Sequence, residues 1–323
     1  MAVGDGAAPP APPAPPRLVL ILSENWILVP PRDLRSLVRM AVEAEEAGFD
    51  GVMVSEHVVL GPGAGADGLP ENPRDYALPH NQDPSTPWPD ALSLLSAIAS
   101  ATSRIRLIAS SIIAPLRHPV LLAKQLATID LLSEGRLVVQ PTVSWHRAEY
   151  GALAVPFERR GELLDEHLGA WRALWGDSPA TFEGRHYRFR EVSLETKPFL
   201  PIGPALWFGG QRLHDRMLRR LVSYGSGFNP LGGPTDEDLE RLRSAMAQAD
   251  RNISELEMVG GTRGRFPDAT RVADLGEALA QIPPQVARGF TTICIKPSQF
   301  LYDRSALGVW CREVVERVGA LAG

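Results

Sequence analysis

The chain has 323 residues, 44% of them hydrophobic, and a formal net charge of −5. That length supports one large core, and the acidic balance leaves no basic footprint for nucleic acid or an anionic membrane. Its two cysteines, Cys294 and Cys311, come without CxxC or Cys/His metal spacing and fit a reducing compartment.

The Pro/Ala run from Pro9 to Pro16 reads as a solvated polyproline-II tail, so residues 1–16 are expected to lie outside a single domain spanning 17–323. The N-terminus lacks the basic and apolar regions of a signal peptide. No apolar run approaches the ~18 residues of a transmembrane helix, and a cytoplasmic location without a membrane partner is the expectation.

Beyond the tail, short β-rich runs alternate with segments of helical period. Strands are predicted over Arg17–Ser23, Asp50–Ser55, Ile105–Ile113, Arg136–Ser144, Ala205–Gly209, Gly225–Pro230, Leu256–Gly260 and Thr291–Lys296. The helices that follow them are predicted over Arg32–Ala47, Asp90–Ala101, Pro119–Leu132, Arg159–Trp175, Leu213–Val222, Asp236–Arg251, Val272–Ala287 and Arg304–Leu321. In the first helix Leu34, Leu37, Val38 and Ala41 recur on one face, and Gly48 stands at the C-terminal cap. Pro119 suits a first helical turn, whereas Pro283-Pro284 should kink or split the seventh helix. Strand followed by helix, repeated without internal duplication, predicts an α/β fold of the (β/α)8 TIM-barrel type.

Two connections are too long for plain barrel loops. Val58–Pro89 leaves the C-terminal end of a strand, where barrel enzymes build their sites, and is the candidate lid. Gly176–Gly203 follows a helix and starts from the opposite face; its alternating Arg185-His-Tyr-Arg-Phe-Arg predicts a small hairpin. Gly63-Ala-Gly-Ala-Asp-Gly68 fits GxGxxG but leads into no helix, so a dinucleotide site is rejected. The scattered histidines lack HxH or HExxH spacing, against a metal-dependent barrel hydrolase. The charges of Glu158–Glu166 read as a solvated helix face, with Arg159 paired to Glu162.

Ser55-Glu56-His57 closes the second strand. A histidine and a carboxylate there can orient each other and exchange protons near neutral pH, making His57 and Glu56 candidate catalytic residues; a histidine that merely caps a loop is the plain alternative. Phe208-Gly-Gly-Gln211 follows the fifth strand and opens a helix, where Gly209, Gly210 and Gln211 amides would hold a phosphate.

From Ser103 to Trp175 the chain resembles the luciferase-like monooxygenase superfamily, especially its deazaflavin-dependent branch. The resemblance is carried by Thr102-Ser-Arg-Ile-Arg-Leu, Ala114-Pro-Leu-Arg-His-Pro-Val-Leu-Leu-Ala-Lys-Gln-Leu, Ser133-Glu-Gly-Arg-Leu, Trp145-His-Arg-Ala-Glu-Tyr and Val155-Pro-Phe-Glu-Arg-Arg-Gly-Glu. It extends more loosely over Leu18 to Phe228, including Ser55-Glu-His and Phe208-Gly-Gly. The resemblance implies an oxidoreductase that uses reduced coenzyme F-420 (the deazaflavin) or FMN to reduce or oxygenate a small organic substrate. It puts the acidic-His pair beside the reactive face of the ring, and a non-prolyl cis peptide at Ser111-Ile112 behind it. The hydroxyls of Thr142 and Ser144 can donate hydrogen bonds to the polyol or phosphate of such a cofactor, and His146 is a second-rank catalytic candidate.

The fourth strand departs from the family pattern. Where a glycine-rich Gly-Val-Gly-x-Gly is usual, this chain has Gln140-Pro-Thr-Val-Ser144, and Trp145 replaces a carboxylate found in some deazaflavin-dependent sugar dehydrogenases. A homologue that binds the cofactor without catalysis is therefore a competing reading. Trp145, Trp88, Trp207 and Phe228 near the predicted mouth suggest an apolar or aromatic substrate. Barrels of this type often pair through their helices, so a homodimer is an expectation.

Overall fold

Each of the eight strands expected for the barrel forms, and each is followed by helix. A computed structural model describes residues 14–321; residues 9–13 of the Pro/Ala run lie outside the described part. The strands are β1 (Arg17–Ile21), β2 (Gly51–Val54), β3 (Arg106–Ile113), β4 (Leu137–Thr142), the hairpin strands β5 (Ala180–Glu183) and β6 (Arg188–Val192), then β7 (Ala205–Phe208), β8 (Gly227–Phe228), β9 (Glu257–Gly261) and β10 (Thr292–Ile295). The helices are α1 (Leu34–Ala47), α2 (Ala91–Ala101), α3 (Pro119–Leu132), α4 (Arg147–Ala152), α5 (Arg160–Trp175), α6 (Asp215–Tyr224), α7 (Asp236–Gln248), α8 (Leu275–Leu279), α9 (Ile282–Ala287) and α10 (Leu307–Ala320). The barrel closes in the order β1-β10-β9-β8-β7-β4-β3-β2, and every pairing around it is parallel.

Pro283-Pro284 splits the seventh helix as anticipated. Both prolines fall in the first turn of α9, where missing amides cost nothing. The hairpin expected in 176–203 is antiparallel β5–β6. It docks on α5, whose Glu166 accepts hydrogen bonds from the backbone N–H groups of Arg185, His186 and Tyr187. Glu162 accepts from His186 at 3.0 Å, and Asp165 pairs with Arg220 at 2.7 Å. The charged face over Glu158–Glu166 stays partly solvated, as expected, and it also docks the hairpin and α6; Glu162 pairs with His186 of the hairpin instead of Arg159.

Alternation along the strands sorts side chains into layers. Leu18, Leu20, Val52, Val54, Ala109, Ile112, Val139, Phe208 and Phe228 face the helices and join the main core. Val19, Met53, Ile108, Val138, Trp207, Val259 and Cys294 fill the barrel interior. Gly227 faces the same interior, and a Cβ there would sit 2.2 Å from the Trp207 indole, so the indole takes the volume that β8 leaves. Two residues further along the strands comes the floor of the C-terminal mouth: Ser55, Ser110, Gln140, Asn229 and Lys296, with Ser23 beyond β1.

Candidate functional site

His57 leaves β2 at this mouth and is 8% exposed. Its Nδ1 lies 3.1 Å from Glu149 Oε1, an acceptor that also takes the Val58 N–H at 2.8 Å. The second oxygen of Glu149 accepts from the Ser144 hydroxyl at 2.8 Å, and Ser144 Oγ in turn accepts from the His146 N–H at 3.2 Å. Glu149 lies on the one-and-a-half-turn helix α4, which the β4 chain enters directly after Ser144. With Nδ1 turned to the carboxylate, Nε2 is the ring nitrogen left for a substrate. Trp88 meets the His57 ring edge-on at 5.0 Å and Trp145 at 5.8 Å. The chemistry available to this cluster is proton acceptance and donation by an oriented imidazole between two indoles.

Several expected residues take other positions. Glu56 turns away from His57: its carboxylate is gripped by Arg117 at 2.7 and 2.8 Å and accepts the Ile113 N–H at 2.7 Å. The carboxylate partner of His57 is Glu149, ninety-two residues away in sequence. His146 is buried and its Nε2 accepts the Gly61 N–H at 2.7 Å, fixing the root of the Val58–Pro89 segment. Burial, opposed by Glu149, holds its imidazole below the ordinary value of 6.5, in keeping with a neutral acceptor. Ser144 has its hydroxyl proton committed to Glu149, so Thr142 is the freer hydroxyl on β4.

The cis peptide falls at Ser110–Ser111, one residue before the expected Ser111-Ile112. The β3–β4 register shifts there, leaving Ser111 half-buried while Ile112 is fully buried against the helices. Phe228 likewise faces the helices, and Trp207 lies one layer beneath the mouth. Gly209 and Gly210 are half-buried at the end of β7, but α6 begins only at Asp215 with His214 as its cap. Their amides therefore belong to a loop rather than a helix start, and Gln211 is exposed on it. The glycine at 209 has its own packing cause, since a Cβ would lie 1.6 Å from the Asn229 carbonyl oxygen. Gln140 lies in the floor, its Oε1 accepting from Ser110 Oγ at 2.9 Å and Asn229 Nδ2 at 2.8 Å.

The Val58–Pro89 segment crosses the mouth and is latched on the far side. Asn72 donates to the carbonyls of Asp268 and Arg271. Arg74, 5% exposed, donates to those of Ser298 and Leu301 at 3.0 and 2.7 Å. Asp75 pairs with Arg263 at 2.8 Å. Sequence reasoning missed Glu149, Lys296 and this latch. Trp145-His-Arg-Ala-Glu-Tyr contained the signal for Glu149, because positions 145–150 just beyond a strand's C-terminal end return to the mouth.

Residues 17–263 match the family model described as luciferase-like monooxygenase. An FMNH(2)-dependent dimethylsulfone monooxygenase of Pseudomonas putida is 27% identical over 206 residues, covering 62% of this chain and 56% of that protein. An F420-dependent glucose-6-phosphate dehydrogenase of Beutenbergia cavernae is 28% identical over 234 residues, 70% of this chain and 62% of that protein. The chain thus spans between half and two thirds of the length of these curated relatives. Among solved structures, an F420-dependent secondary alcohol dehydrogenase in complex with an F420-acetone adduct has a TM-score of 0.68 at 14% identity, covering 94% of this chain and 99% of that one. The F420-dependent tetrahydromethanopterin reductase of Methanopyrus kandleri has a TM-score of 0.66 at 13% identity, covering 95% and 100%. At such identities the likeness is one of fold.

Proposed function

This chain belongs to the luciferase-like monooxygenase family, and on that premise we propose that it is an oxidoreductase using a reduced deazaflavin, coenzyme F420, or FMN on a small organic molecule at the barrel mouth. The observation that carries the reading is the run Ser144–Glu149–His57, hydrogen-bonded end to end and walled by Trp88 and Trp145. The residues present suit a planar cofactor. Ser111, Thr142, Gly209 and Gly210 remain half-buried around the rim, and the Gln140 side chain is drawn into the floor. The Trp88 indole N–H is buried with no acceptor among the described residues. When bound, such a cofactor supplies the hydride or oxygen chemistry.

The protein's share is positioning and proton management. His57 Nε2 takes or returns a proton at the substrate, while Glu149 fixes the tautomer and stabilises the imidazolium that forms. Thr142, at the end of β4, would hold the cofactor through its hydroxyl. The latched Val58–Pro89 segment keeps bulk water from the mouth. Absorbance titrations of the purified chain with FMN and with coenzyme F420, each oxidised and reduced, test this reading. Saturable binding of one cofactor is expected, and failure of both to bind would end it.

A further inference from the structure

Across the barrel from β4, at the end of β10, the mouth holds a polar group that the reading above does not use. Lys296 faces inward and is 1% exposed. Its Nζ donates to the Asp75 carbonyl at 3.2 Å and lies 5.4 Å from the centre of the Tyr76 ring. Among the described residues it has no ion pair; Glu24 and Asp75 act on it only through space. One long hydrogen bond and a ring face are poor compensation for an ammonium removed from water.

The chain that follows β9 and β10, with Arg74 of the latch, shares the deficit. Thr262 Oγ1, Ser298 Oγ, Gln299 Nε2 and Arg74 Nε are all buried without a partner among the described residues. Hydrogen bonds to the backbone join these residues into one cluster around the chain that follows β9 and β10. Tyr76 donates its hydroxyl to the Thr262 carbonyl, Arg74 donates to the Ser298 carbonyl, and the Gln299 N–H donates to the Lys296 carbonyl. The set is rich in donors, and an acceptor bearing negative charge would satisfy it best.

We propose that Lys296 is a substrate-binding residue that takes an anionic oxygen, so that the molecule entering the mouth is a small carboxylate with an apolar body. The proposal rests on the mouth being the active site. The apolar body would lie toward Trp88 and Trp145, the indoles that meet the His57 ring. Burial pushes the Glu24 carboxyl up and the Lys296 ammonium down, and a bound anion would hold the ammonium charged. A lone lysine without a helix N-terminus suits a carboxylate better than a phosphate dianion, which needs more donors.

A route is present. A cavity of about 820 Å³ runs between the latched segment and the loop after β9, lined by Asn72, Asp75 and Arg263–Phe266 among others. Asp75 belongs to both places: its carboxylate pairs with Arg263 on the cavity wall, and its carbonyl receives the lysine proton behind it. The cavity walls carry four carboxylates against the guanidinium groups of Arg263 and Arg265, so any preference for an anion over a neutral molecule falls to the ammonium.

Phenylacetate and its neutral isostere phenylacetamide, titrated into the full chain by tryptophan fluorescence and calorimetry, test the inference. Wild type should prefer phenylacetate by about ten- to a hundred-fold, the value of a hydrogen bond to a charged group. Lys296→Met, checked for folding by circular dichroism, should lose that preference. Lys296→Gln, which keeps a donor without the charge, should fall between. Equal affinities in wild type overturn the proposal without any variant, as does a preference that survives in Lys296→Met. Cofactor titrations of the same proteins separate the two readings. Loss of cofactor binding in wild type would sink the proposed function, whereas normal cofactor binding without carboxylate preference would sink only the role of Lys296.

Discussion

At the mouth, two carboxylates close to one short segment do different work. Glu149 is fully buried and answers three donors, one of them the imidazole of His57. Glu56, the immediate neighbour of His57, spends its charge on Arg117 and the Ile113 amide. Replacing His57 with alanine should therefore cut turnover by about 10²- to 10⁴-fold, the usual worth of a positioned acid or base. Cofactor affinity should stay close to wild type. Steady-state kinetics alongside a cofactor titration checks this, and full turnover in His57→Ala would refute the proton-transfer role. Glu56→Ala should behave in the opposite manner. Breaking this ion pair leaves Arg117 only Asp90 as a partner, at a cost of about 3 kcal/mol, the low end for a buried pair, so the variant should unfold at lower denaturant, yet the molecules that remain folded should turn over normally.

Among the elements, the Val58–Pro89 segment changes most between what its composition suggests and what it does. Its glycines, prolines and exposed polar residues read as a mobile lid, but Asn72 and Arg74 are buried and tied to carbonyls of the loops beyond β9 and β10. Nothing in the local pattern around Arg74 announces this, because its partners lie more than two hundred residues away. The same distance problem hid Glu149 as the partner of His57. Patterns that repeat locally were legible: strand alternation, helix caps and the paired prolines located the barrel elements to within a few residues. Facing was harder. Ile112 and Phe228 looked like pocket residues until the register placed them toward the helices. The latch itself is open to test. Arg74→Leu leaves two buried carbonyls without their donor, costing about 1–3 kcal/mol each, and hydrogen exchange across 58–89 should accelerate while the barrel strands keep their protection. Unchanged exchange would mean that the segment is held without the guanidinium.

For the whole molecule, closure of the barrel depends on its N-terminal end as well as its mouth. Glu257 on β9 is held by Arg106 of β3 through two hydrogen bonds of 2.7 and 2.8 Å. It also accepts from the Thr292 hydroxyl of β10 and lies 3.4 Å from Arg17 of β1. One carboxylate thus joins four strands, three of them consecutive around the ring and the fourth across it. Burial alone would raise its pKa, but the hydrogen bonds and charge of Arg106, with Thr292 and Arg17, bring it below the ordinary 4.5. A carboxyl with a depressed folded pKa contributes stability that is complete above 4.5 and drains away as the pH falls through its folded value. Glu257→Gln should therefore cost about 3 kcal/mol at pH 7, at the low end for a broken buried pair because Arg106 keeps some access to water. The gap between wild type and variant should narrow steadily below pH 4.5. Denaturant unfolding of both proteins from pH 7 to pH 3 measures this, and a gap that stays constant across the range would show that the charge of Glu257 does not hold the four strands together.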